Sequence, residues 1–130
     1  MSENDIENIV NQRILQARKL LFEAEEIANI NFFNTSINRM YYASFSIVTA
    51  LLFKNGFTPK THSGTRILLN KHFSIENKVN KDLRRFYHEI MEMREDADYE
   101  VDKEFDEATT FQYLDKTKVF IEAIEKLIHE

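Results

Sequence analysis

The sequence predicts an all-α protein: an up-and-down antiparallel bundle of four long helices plus one short helix, in a single domain over residues 1–130. Three observations carry this prediction. The chain has two Gly and one Pro in 130 residues, too few turn-formers for an all-β sandwich or barrel of this size. Apolar residues, 43% of the total, recur at the helical period in successive segments. No repeat, low-complexity tract or linker separates those segments, and the length suits one core rather than two.

The first helix is expected to start near Asp5 and end between Asn29 and Asn31. It carries Ile6, Ile9, Val10, Leu15, Leu20, Leu21, Ala24, Ile27 and Ala28 close to the helical repeat. Phe32 to Asn55 forms the second, with Gly56 placed to stop it in a left-handed cap. This segment is apolar on more than one face, which marks the central helix of a bundle or an interface, and on that ground a homodimer is expected. Pro59 keeps Phe57 to His62 out of helix. Thr61 or Ser63 can then cap a short helix that runs to Phe73. Asn80 is a good N-cap for the next, where Leu83, Phe86, Tyr87, Ile90 and Met93 or Arg94 fall on successive turns. Acidic, turn-prone residues interrupt from Asp96 to Asp106. Asp106 then caps a last helix bearing Phe111, Leu114, Val119, Phe120, Ile124, Leu127 and Ile128.

The absence of cysteine excludes a disulfide framework, a thiolate zinc site and a cysteine nucleophile. Met1 to Asp5 lacks the regions of a signal peptide, and the longest uncharged run, Met40 to Phe53, is shorter than the roughly 20 residues that span a bilayer. A soluble, cytoplasmic protein without a membrane partner is expected. The net charge of −5 is unevenly placed. Lys60 to Arg85 holds seven basic residues against two acidic, whereas Phe86 to Glu107 holds two against ten. A polarised molecule can meet a nucleic acid with its basic side, here Arg66, Lys71, Arg84 and Arg85, although charged residues commonly just line solvated faces.

Several residues could carry chemistry. Arg94, Asp98 and Tyr99 can form a unit in which a guanidinium grips a phosphate or carboxylate while the other two position it; equally, Arg94 and Asp98 can be an i, i+4 pair closing a helix. Arg39 lies in an apolar helix beside Tyr41 and Tyr42, so it either reaches a ligand or pairs with an acid such as Asp98. His62 and Ser63 precede a helix start, where free backbone N–H groups can hold an anion; alternatively Ser63 is only a cap and His62 packs on the second helix. No Gly-rich phosphate loop is present, since Gly56 and Gly64 are the only glycines. Asp96, Asp98, Glu100, Asp102, Glu104 and Glu107 match the ligand positions of an EF-hand loop. Val101, however, replaces its turn glycine, so a solvated acidic loop is the better reading of 96–107 and neither metal nor cofactor is expected.

Four stretches stand in a recognisable order: Asn38-Arg39-Met40-Tyr41-Tyr42-Ala43-Ser44-Phe45, Lys60-Thr61-His62-Ser63-Gly64, Arg94-Glu95-Asp96-Ala97-Asp98-Tyr99 and an acidic-capped amphipathic helix that closes the chain. Through them the chain resembles the HEPN superfamily, in particular its small stand-alone bacterial proteins with R-x-Y-Y-A-x-F, K-T-H-S-G and R-x-x-A-D-Y. The resemblance covers nearly the whole chain. It implies an up-and-down helical bundle, often a homodimer, and links to nucleotide or RNA binding, to a partner minimal nucleotidyltransferase, and to toxin–antitoxin or defence systems.

One branch of that superfamily cleaves RNA without metal, using an Arg followed four to six residues later by His. Arg94 is in place here, but Tyr99 holds the position of the His. A phenol with a pKa of about 10 is a poor general base near neutrality. The Arg66 to His72 spacing also fits, yet six helical residues leave the two side chains about 120° apart, so that match is accidental. The expected function is therefore a binding module for nucleotide, RNA or a nucleotidyltransferase, with little or no RNase activity. A metal-independent RNase built on Arg94, Asp98 and Tyr99, and a structural dimer without ligand, are the alternatives.

Overall fold

A computed structural model describes residues 1–100 and 102–130. Five α-helices follow in order: α1 (Glu3–Asn29), α2 (Phe33–Lys54), α3 (His62–Phe73), α4 (Lys81–Tyr99) and α5 (Glu107–Ile128), with a 3-10 turn at Ile75–Asn77. No strand is present among the described residues. Contacts between helices fix their directions. Arg13 and Ala24 of α1 meet Thr49 and Ser36 of α2, Asp98 of α4 meets Asn38 of α2, and Glu125 and Lys118 of α5 meet Arg18 and Glu25 of α1. The four long helices therefore run up, down, up, down, as the sequence predicted.

Local sequence sets the ends. Ser2 and Asp5 form a reciprocal capping box, so α1 begins two residues before the expected Asp5. Asn80 and Asp106 cap α4 and α5 through Leu83 and Thr109 N–H. Of the two caps considered for α3, Thr61 performs the role by accepting from Gly64 N–H, which leaves Ser63 inside the first turn. Gly56, at φ +88°, terminates α2 as predicted. Between α3 and α4, Glu76 and Asn77 both take left-handed φ, and Val79 N–H donates to Phe73 carbonyl at 2.8 Å, carrying the Val79 side chain into the core.

Helix α2 touches each of the other four helices. From Ser36 to Leu52 most of its side chains are buried, because α1, α4, α5 and α3 cover its faces. Small residues let α1 approach closely: Ala17, Ala24 and Ala28 are fully buried against a helix whose Ser36 and Ser46 hydroxyls donate to Ala24 and Arg13 carbonyls. The apolarity of α2 is thus consumed within one chain and does not itself argue for a dimer. Two expected core positions also differ. Leu15 and Val119 are 61% and 62% exposed, since both lie outside the stripe that their helix turns inward, which on α1 runs through Val10, Ile14 and Ala17.

Candidate functional site

The cleft at the end of α4 is built on one face of α2. Asn38, Tyr41, Tyr42 and Phe45 lie at i, i+3, i+4 and i+7 and turn toward α3 and α4. Tyr41 is fully buried, its ring 6.2 Å from that of Tyr87 on α4. The ring of His62, the first residue of α3, packs 4.7 Å from Phe45 and 5.5 Å from Tyr41, measured between centroids. Its Nδ1 is 2.6 Å from the Tyr41 hydroxyl.

Arg94 enters this aromatic group from α4. Its guanidinium carbon lies 5.0 Å from the ring centroid of Tyr41, 5.8 Å from that of Tyr42 and 6.0 Å from that of Tyr99, a cation–π arrangement. The residue is only 7% exposed, and its Nε has no hydrogen-bond partner. Asp98 is its ion-pair partner, but at 3.6 Å the contact is too long for a hydrogen bond. Asp98 is held more closely by Asn38, whose amide donates to both carboxylate oxygens at 3.2 and 3.0 Å. The i, i+4 pair considered from sequence therefore exists and leaves the guanidinium under-satisfied.

Tyr42, His62, Arg94, Glu95, Asp96, Tyr99 and Glu100 line an open cleft of about 490 Å³. Arg94 is its cationic floor. Tyr99 stands 72% exposed at the mouth, and Lys103 pairs with Asp96 at 2.8 Å. Burial, and next the positive charge of Arg94, lower the His62 pKa, so the imidazole is neutral near pH 7. Burial pushes the Tyr41 phenol up to about 12 and the Tyr87 phenol well above its ordinary value. Tyr41 thus keeps its proton and donates it to Nδ1, which leaves His62 Nε2 without a hydrogen bond from the described residues.

The structure brings together Tyr42, His62, Arg94 and Tyr99 of the candidate residues, with Asp98 alongside. Others stand apart. Arg39 pairs with Glu23 of α1 at 3.7 Å and donates to Asn38 at 2.8 Å, so its acid is Glu23 and not Asp98. Ser63 Oγ is exposed and near only Thr61 Oγ1, at 3.4 Å. The basic residues divide: Arg66 and Lys71 are on α3, Arg84 donates through Nε to Val79 carbonyl, and Arg85 faces a groove with Asp82, Glu89, Asp115 and Lys116. Among the described residues no group of three or more His, Asp or Glu could hold a metal ion; Val101, at the sixth position of the EF-hand-like run, lies outside them. Among the described residues no helix is long and apolar enough to cross a membrane. Sequence reasoning passed over Asn38 and Tyr41 as site residues. The signal was their spacing with Tyr42 and Phe45, which puts one polar–aromatic face on a helix otherwise given to the core.

The bundle and its cleft define a small all-helical domain of the HEPN kind. The HEPN domain model matches residues 10–127, and the chain belongs to that family. It is 35% identical over 127 residues to a Thermotoga maritima protein named "UPF0332 protein", covering 98% of this chain and 96% of that one. Two Methanocaldococcus jannaschii proteins, each named a "putative toxin", are 30% and 29% identical, over 88% and 89% of this chain and 78% and 81% of their own lengths.

Proposed function

We propose that this HEPN protein is a toxin-type module whose Arg94 cleft binds a phosphate-bearing ligand, a nucleotide or a segment of RNA. One observation carries the reading: the guanidinium of Arg94, 7% exposed and without a full set of hydrogen-bond acceptors, lines an open aromatic cleft. A buried charge without full hydrogen bonding is costly, and an anion reaching it supplies what Asp98 at 3.6 Å does not. Tyr42 and Tyr99 offer faces against which a nucleobase can stack. The relatives named as toxins support the setting, in which a homodimer and a nucleotidyltransferase partner fit as assembly and antagonist.

With Tyr99 where an imidazole would follow Arg94, RNase activity is expected to be low. The cleft's own imidazole, His62, favours a second reading as a metal-independent endoribonuclease. One experiment separates them. RNA binding and RNA cleavage in EDTA are measured for the wild type, Arg94→Ala and Tyr99→Phe. Binding lost in Arg94→Ala without wild-type cleavage supports the module; robust wild-type cleavage lost in Arg94→Ala makes the enzyme reading primary. Unchanged binding in Arg94→Ala with no Arg94-dependent cleavage would sink both.

A further inference from the structure

We propose that His62 is the proton-exchanging residue of the Arg94 cleft: a phosphodiester held between Arg94 and His62 is bound together with one proton, taken from solvent onto the imidazole. The inference rests on the Arg94 reading and names how that site recognises its ligand. It begins from an asymmetry in the geometry. Nδ1 of His62 is tied to Tyr41 at 2.6 Å, Nε2 has no partner among the described residues, and the ring lines the same cleft as a guanidinium that lacks a full set of acceptors.

The groups facing His62 set its charge. From α2 come Tyr41 and Tyr42, and from α4 come Arg94 and Glu95, with Asp96, Tyr99 and Glu100 on the cleft wall and Arg66 one turn further along α3. Arg94 opposes a second positive charge and Glu95 favours it, but burial and Arg94 prevail and the free imidazole is neutral. An anion between the two reverses this balance, because it offsets the field of Arg94 and offers Nε2–H an acceptor. Protonation then falls on Nδ1, which must donate where it had accepted. Tyr41 can accept from it only by turning its own proton elsewhere. The buried Tyr87 phenol interacts with that of Tyr41 and can take that proton in a hydrogen bond.

The test uses a 2′-O-methyl tetrauridylate, which resists cleavage and whose diester charge is constant over the range, with Kd measured from pH 5 to 8. In the wild type, affinity should rise as pH falls, approaching about tenfold per unit between the free and bound His62 midpoints, and level off below the free midpoint. His62→Gln should bind with little dependence on pH. In the wild type, the His62 ring resonances followed by NMR should titrate below the ordinary 6.5 when free and at higher pH with the oligonucleotide. Tyr87→Phe should reduce the upward displacement. A wild-type protein that binds through Arg94 with no pH dependence, or a His62→Gln protein that keeps the wild-type slope, overturns this inference alone. Failure to bind at any pH overturns the Arg94 reading with it. If His62→Gln does not fold, the wild-type titration decides: no upward movement on ligand addition overturns the proposal.

Discussion

At the scale of single residues, Arg94 carries two duties that substitution can separate. Its stem and guanidinium fill space against Tyr41 and Tyr42, and on the proposed reading its guanidinium also holds the ligand's anion. Arg94→Lys retains a charge but loses the planar fork that stacks on the rings and grips two oxygens at once. We expect Arg94→Lys to weaken ligand binding at least tenfold, close to Arg94→Ala, when both are titrated with the same oligonucleotide. Near-normal affinity in the lysine variant would mean that the cleft needs only a point charge. Tyr99→Phe bears on the mouth instead: it keeps the aromatic face and removes only an exposed hydroxyl, so stacking predicts less than a twofold change in affinity.

At the scale of elements, helix ends were legible in the sequence because a cap acts within one turn. Asn80, Asp106, Thr61 and Gly56 perform the parts their residue types suit. Thr61→Ala should destabilise the fold by about 1 kcal/mol in urea denaturation, since Gly64 N–H loses its acceptor. Gly56→Ala should cost about 1 kcal/mol for a different reason: the space is open, but φ +88° disfavours any Cβ. What joins distant segments was not legible. Nothing local announces that Asn34 holds Lys103 carbonyl and Phe105 N–H, or that Val79 is drawn under Phe73; that His62 packs on α2 was one of two readings, but not that it meets Tyr41 there. The cleft was half visible for that reason. Arg94 and Tyr99 share a helix end and could be paired by counting, while His62 arrives from another helix.

At the scale of the molecule, the pattern of buried phenols gives the fold an alkaline limit. Burial raises Tyr41 to about 12 and Tyr87 well above its usual range, and burial together with the hydrogen-bonded Glu89 carboxylate raises half-buried Tyr113 to about 12. Each is protonated in the folded chain at pH values where the unfolded chain has ionised, so stability falls as pH rises above about 10. His62, with its folded pKa lowered, acts at the other side: as pH drops below about 6.5 the unfolded chain takes up the proton first and stability declines. Thermal melts from pH 5 to 11 should therefore be highest between about 7 and 9. In Tyr41→Phe the alkaline decline should be shallower, although the loss of the bond to His62 lowers the plateau. RNA binding should also weaken with added salt, and Arg85→Ala should reduce that dependence without loss of stability only if its groove joins the footprint; Arg84→Ala should lower stability as well, because its Nε holds Val79 carbonyl.

The floor of the cleft is made from core residues and its rim is not, and the two are therefore free to change at different rates. Tyr41, Tyr87 and Arg94 are packed among the helices, so an exchange that alters their size costs folding stability whatever it does to recognition. Glu95, Tyr99 and Glu100 are exposed, and surface changes of that kind usually shift stability by no more than about 0.5 kcal/mol. Diversification among descendants of such a protein would thus be channelled to the rim: the packed base persists as an inherited constant, and variation accumulates at the mouth above it.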